Sequence, residues 1–403
     1  MFMGYRGLAK KPVLLWALVA VVARLPIAMA PLGLVFLARD RPGGYSLGAT
    51  LAAAYVVGEV LGALFIGTLP VSRGKPGLAL GLGAGAVAFG GLALASSAPD
   101  PVLVVLAALA GGCPAASPGG MRAMLTRLVD EDVVASALSA ESTLTQAIWA
   151  IAPGLSVSLA LWAGAEVPLE VGAAAMAVAA LTLPLLPGPA GAAAPAKTPA
   201  KTRGHGRQLL AAWPIYLTSA ASMALLSAAE LILAPLLEFR HLQTGWAGVL
   251  LTVFSGSSAV GAFVYGLRKW PGAVRTQSLV LLVGMSACVA LIAVVPGLIA
   301  ISVVLVVGGL CQAAVAVTRN LSLREALPAE VHTGGYSVMY AVQGVGYTLT
   351  ATLTALALAS FTPVTALIGA AALTLLLTVA SALAELRRVP TSSMPAVPGA
   401  DEC

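Results

Sequence analysis

Stretches long enough to cross a bilayer, with almost no charge in them, recur from one end of this sequence to the other. Within two of them, Val102–Ala110 has no polar side chain and Leu279–Val295 has only Ser286. A helix crossing the hydrocarbon needs about 20 such residues, and with short connections one crossing uses roughly 33. The 403 residues therefore allow about twelve crossings. A membrane barrel would alternate apolar and polar residues in segments of about ten, and these runs do not alternate. Charge agrees with this reading. The chain has 22 Lys and Arg and 16 Asp and Glu, where a soluble chain of this length would carry about 100 charged residues. The expected class is an all-α integral membrane protein with a lipid bilayer around it.

The runs place spans at about 13–38, 47–69, 77–97, 102–125, 138–163, 167–187, 209–237, 246–267, 276–296, 298–322, 334–360 and 362–386. The basic start MFMGYRGLAKK resembles a signal peptide. The apolar stretch behind it runs about 25 residues without a cleavage site, so it reads as the first span. With a cytoplasmic N-terminus, 18 Lys and Arg fall on the cytoplasmic side, and Arg39, Arg41 and Arg240 fall outside. That asymmetry marks a cytoplasmic face. It puts both termini in the cytoplasm and accounts for the net charge of +6 without nucleic acid as a partner. Arg outnumbers Lys sixteen to six, which suggests a GC-rich bacterium and hence its inner or plasma membrane. Cys113, Cys288, Cys311 and Cys403 are too few for a disulfide framework and read as free thiols.

Gly188–Gln208 is rich in Ala, Pro, Lys and Gly and reads as a flexible cytoplasmic linker. It separates a six-span bundle at 1–187 from a second at 209–388, with 389–403 left as a disordered cytoplasmic tail. The halves repeat. GALFIG at Gly62–Gly67 returns as GAFVYG at Gly261–Gly266, an offset of 199. Gly111-Gly112, Arg122, Arg127 and Gln146 return as Gly308-Gly309, Arg319, Arg324 and Gln343, all at 197. Ala30-Pro31-Leu32 returns as Ala234-Pro235-Leu236 at 204.

Two pseudo-symmetric six-helix bundles, cytoplasmic termini and a central cytoplasmic linker resemble the major facilitator superfamily, over essentially the whole chain. The resemblance implies parallel halves about an axis along the membrane normal. The family's loop between spans two and three usually reads G-x-L-a-D-r-x-G-r-k. Here Gly67, Leu69, Arg73, Gly74 and Lys75 keep the pattern, while Val71 replaces the Asp that latches the cytoplasmic side in the family. Arg73 and Lys75 read either as topology signals or as parts of a gate. Drug:proton antiporters of the family often carry an Arg in span four, where this chain has Ala107. Their span five often carries G-P-x-x-G-G, of which Ala152-Pro153-Gly154-Leu155-Ser156-Val157 keeps the proline, a candidate helix bend.

Charges inside a membrane are costly and therefore candidates for function. Arg24 and Glu59 sit near mid-membrane on antiparallel spans and could pair directly, either as a static tie or within a translocation cavity. Glu230 has no basic partner in its own helix and reads as a proton carrier or, nearer the outer mouth, as a solvated group. Glu141 lies at the depth of Arg122, as an interfacial pair. Arg122, Arg127, Glu141, Arg319 and Arg324, with Glu131, Asp132, Glu325 and Glu330 nearby and Gly67, Arg73, Gly74 and Lys75 of the loop between spans two and three, compose a candidate cytoplasmic gate. Gln146 and Gln343 read as cavity hydrogen-bonding groups or as glue between helices.

Other motifs are absent or misplaced. His205, His241 and His332 lie in expected loops without metal spacing, and no phosphate loop occurs. The glycosylation pattern at Asn320-Leu321-Ser322 falls on the cytoplasmic side. Nothing resembles a catalytic constellation, so the chain reads as a non-enzyme without cofactor. The expectation is a monomeric, proton-driven secondary transporter that alternates access and exports a small apolar or amphipathic compound, most like bacterial multidrug efflux members. The alternatives are a proton-coupled nutrient importer, or a sensor or scaffold that has kept the fold.

Overall fold

A backbone in hydrocarbon must satisfy its own hydrogen bonds, and each long apolar run of this sequence becomes a helix. The structure, a computed structural model, describes residues 5, 8–39, 41–69, 74–95, 97–187 and 205–386. Arg73, Val71, residues 188–204 of the expected linker, the expected tail at 389–403 and Cys403 lie outside these. The helices are α1 (Lys11–Arg39), α2 (Gly44–Phe65), α3 (Lys75–Leu94), α4 (Asp100–Gly112), α5 (Ser117–Leu128), α6 (Val134–Trp162) and α7 (Val167–Thr182) in the first half. The second half has α8 (His205–Ala211), α9 (Trp213–Phe239), α10 (Trp246–Gly266), α11 (Val274–Val294), α12 (Leu298–Ala326), α13 (His332–Ser360) and α14 (Pro363–Leu386). They give twelve candidate spans, six in each half, with α4 and α5 together making the fourth. The bounds agree with those expected to within about one helical turn.

Three local features differ from the expectation. The fourth span breaks between Gly112 and Ser117, where Pro114 lacks the N–H a continuous helix needs. Its repeat mate α12 has no proline there and runs unbroken for 29 residues. Residues 205–208, expected in the linker, already belong to α8. His332, expected in a loop, opens α13, with its ring Nε2 2.8 Å from the Leu327 carbonyl.

Each half has its own core. Leu34, Leu51, Tyr55, Phe89, Leu103 and Leu169 fill the first, and Leu225, Ile232, Leu282, Ile301 and Leu305 fill the second. Large apolar side chains such as Val87, Leu94, Trp162, Ile299 and Leu376 point outward, as lipid-facing surface requires. The sequence repeat has a packing cause. A Cβ on Gly58 or Gly62 would collide with the backbone of Ala108 or Gly112 in α4, and one on Gly261 would collide with Leu310 in α12. Apolar side chains gain little by leaving lipid, so close backbone approach is what binds such helices together. The arginines at positions 41 and 240 both bond backbone carbonyls near the end away from the basic loops. Arg41 donates to the Ala98 carbonyl at 2.6 Å, and Arg240 donates to those of Ile292 and Ala293 at 3.1 and 2.6 Å. Arg240 thus satisfies carbonyls in the last turn of α11, while Arg41 holds the connection between α3 and α4.

Candidate functional site

The halves meet at the end that carries Lys11, Lys75, Arg127, Arg268 and Arg324, here the basic end. Two glycine contacts there are mates under the repeat. Gly67, at the foot of α2, leaves no room for a Cβ beside Ser337 of α13. Gly266, at the foot of α10, leaves none beside Ser139 of α6. Ser136 donates to the Gly266 carbonyl at 2.7 Å. Tyr5 stacks on Phe263 at 4.8 Å and donates to its carbonyl at 2.8 Å. Burial pushes the Tyr5 phenol up to about 12, so it keeps its proton and its bond at neutral pH. Arg324 meets Glu131 at 2.6 Å, and Arg127 donates to the Ala329 carbonyl. Four expected gate residues, Gly67, Arg122, Arg127 and Arg324, therefore do join the halves. Arg319 donates to Thr218 of its own half at 2.8 Å. Lys75 donates to the Leu186 carbonyl, and Gly74 precedes α3 in extended backbone.

Above this seam lies a charged cluster. Glu141 is 1% exposed and receives both Arg24 Nη2 at 2.6 Å and Arg122 Nη2 at 2.9 Å on its Oε1. Arg122 Nε adds a bond to Oε2 at 3.1 Å, and its Nη1 reaches Asn320 of the other half at 3.2 Å. Arg24 Nη1 donates to Thr145 at 3.1 Å. The expected Arg24–Glu59 pair does not form. Both side chains are near mid-span, but Arg24 faces α6, which offers a nearer carboxylate. The expected Arg122–Glu141 pair does form, and it extends to Arg24.

The two remaining carboxylates share a different arrangement. Tyr340 donates to Glu59 at 2.8 Å, across the halves, and Tyr347 donates to Glu230 at 2.8 Å. Both tyrosines lie on α13, seven residues apart, so they share one face at levels about 10 Å apart. Neither carboxylate has a cation within ion-pair distance among the described residues. Gln146 donates to Ser258 of the other half at 3.0 Å. Gln343 is half-buried on α13. Pro153 lies inside α6, which continues as helix on both sides of it. Sequence reading passed over Tyr340, Tyr347, Thr145 and Ser258, and weighed Asn320 only as part of a glycosylation pattern. The tyrosine spacing on one helix was the available signal for the first two.

Among the described residues, no cross-half hydrogen bond or ion pair lies beyond Gln146–Ser258 and Tyr340–Glu59 towards the opposite end. Gly154, Gly248 and Gly256 have open space where a Cβ would stand. Only 17% and 12% of the apolar stretches of α6 and α13 are buried, against 61% for α1. A small cavity lies on this side of the seam, lined by Arg24, Arg122, Thr145, Ile148, Trp149 and Tyr340.

No protein-family model and no curated protein matches the chain. Solved structures do. The human organic anion transporter MFSD10 is 15% identical, with a TM-score of 0.65 over 91% of this chain and 96% of that one. A single-residue variant of the E. coli fucose:proton symporter FucP is 14% identical, with a TM-score of 0.69 over 94% and 100%. FucP in the outward conformation is 15% identical, with a TM-score of 0.68 over 95% and 100%. The likeness is one of fold: the chain has the twelve-helix fold of major facilitator superfamily transporters.

Proposed function

We propose that this chain is a proton-coupled secondary active transporter that works by alternating access, carrying a small amphipathic compound out of the cell in exchange for protons. It sits as a multi-pass monomer in a bacterial inner membrane, with both termini cytoplasmic and no cofactor beyond the proton gradient. The observation that carries the reading is the pair Glu59 and Glu230. Each is a membrane carboxylate held by a tyrosine hydroxyl and not by a cation, so each can gain or lose a proton without breaking an ion pair. Both hang on α13, which also joins the halves at the basic end, so their protonation and the closure of that end share one helix. With the basic end cytoplasmic, the cavity faces outward. The efflux subtype rests on the span-five remnant and on the sparse polarity of the interior.

A second reading, proton symport inward, is favoured by one feature: the cavity floor carries two guanidiniums against the single carboxylate bonded to them. A substrate anion and a proton would then occupy it together. Proteoliposomes with an internal pH dye, challenged with amphipathic anions, cations and neutral compounds, separate the readings by the sign of the proton movement. Glu59→Gln or Glu230→Gln should abolish substrate-evoked proton flux. Flux unchanged in both variants sinks the assignment of the carriers, and no flux from folded wild type with any compound sinks the transporter reading.

A further inference from the structure

A membrane cavity with an uncompensated charge at its floor selects what can enter it. Arg24 and Arg122 bring two positive charges, and Glu141, bonded to both, brings one negative. Glu59 reaches the same floor through Tyr340 and contributes a second negative charge only when ionised. With Glu59 protonated, the groups facing the cavity floor from α1, α2, α5, α6 and α13 sum to one positive charge. In surroundings of low dielectric such an excess is expensive unless something pairs with it.

We infer that the carried compound bears an anionic group of the carboxylate class on an aromatic or aliphatic body, and that the anion docks on Arg24 and Arg122. This rests on the transporter reading but on neither direction of transport. The donors are present: a guanidinium has five N–H groups, and the hydrogen bonds formed occupy two on Arg24 and three on Arg122. Thr145 and Tyr340 place hydroxyls beside them, while Ile148 and the half-exposed Trp149 line the wall above. The polar floor and apolar wall thus match a molecule with a charged head and a greasy tail. An ammonium on the same body meets like charge at the floor. A neutral alcohol gains the wall and leaves the excess charge unpaired.

Equilibrium binding to the purified full chain tests this, with 2-naphthoate and octanoate set beside amines and alcohols of the same carbon skeletons. The carboxylates should bind at least about tenfold tighter than either counterpart. Arg24→Gln and Arg122→Gln should each weaken them by about ten- to a hundredfold, the worth of a lost charge-assisted hydrogen bond. Each of these variants keeps Glu141 paired with the other arginine, and thermal unfolding confirms that it folds. Glu141→Gln raises the floor charge, so it should hold or strengthen carboxylate binding, where a purely structural role would weaken all probes alike. Amines or alcohols binding as tightly as carboxylates, arginine variants binding as wild type, or no carboxylate binding by folded wild type would each overturn the inference. Glu59→Gln keeps the two readings apart, because it should retain carboxylate binding while losing proton flux. Proton-coupled transport of amines alone would overturn the anion and leave the transporter. Carboxylate binding without any transport would do the reverse.

Discussion

Glu141 holds two guanidiniums inside the protein with one carboxylate, and the arrangement is asymmetric in its energetics. Such a cluster adds little net stability once desolvation is counted, but removing its shared member leaves buried charges unpaired. Glu141→Ala should therefore destabilise the chain by about 3–5 kcal/mol. Asp130→Ala, which removes the solvent-exposed partner of Lys10, should change stability by less than about 1 kcal/mol. Apparent unfolding temperatures in one detergent rank the two, and equal shifts would show that the cluster is not a buried unit. The same residues mark how far side-chain pairing was legible. The height of Arg24, Glu59 and Glu141 follows from residue number at 1.5 Å per residue. Which neighbour each faces depends on how its helix is rotated, and a helix apolar on nearly all sides gives no such signal. So the sequence placed Arg24 and Glu59 near mid-membrane and missed that Arg24 turns to α6 and Glu59 to Tyr340.

The helices themselves were readable because hydrocarbon thickness sets their length and leaves the backbone one solution. What escaped was local chemistry inside an apolar run: the break at Pro114, and the short helix α8 in a stretch whose composition reads as coil. The seam of the basic end is also an element-scale feature. The repeat offset announced Gly67 and Gly266 as mates, but only the packing shows each glycine seated against a serine of the opposite half. Gly67→Leu should force α2 away from α13 and favour the state open at the basic end. Spin labels on Asp132→Cys and Lys269→Cys, in a background freed of native cysteines, would read this as a longer distance between the halves. Transport should fall while the chain stays folded. An unchanged distance would mean that the Gly67 contact does not hold the seam.

At the scale of the whole molecule, one assignment decides how everything else is read: which end is cytoplasmic. Among the described residues the lysines and arginines other than Arg24 gather at one end, with three exceptions; of these Arg41 bonds the Ala98 carbonyl in the connection between α3 and α4, and Arg240 bonds the carbonyls of Ala293 and Val295 at the end of α11. They are held by structure rather than by the rule that retains basic loops in the cytoplasm. Removing them from the count sharpens the asymmetry. With the basic end inside, the cavity beside Arg24 and Arg122 faces the exterior, and the protons and anions of the proposed cycle would reach it from outside. With the basic end outside, the same structure is an inward-open state, and the floor charge would select compounds from the cytoplasm. Single cysteines at the exposed positions Gln243 and Lys269 separate the two, again without native cysteines. On intact cells a membrane-impermeant maleimide should label Gln243→Cys and spare Lys269→Cys until the cells are opened. Labelling of Lys269→Cys alone would invert the topology, and with it the side from which this state loads its substrate.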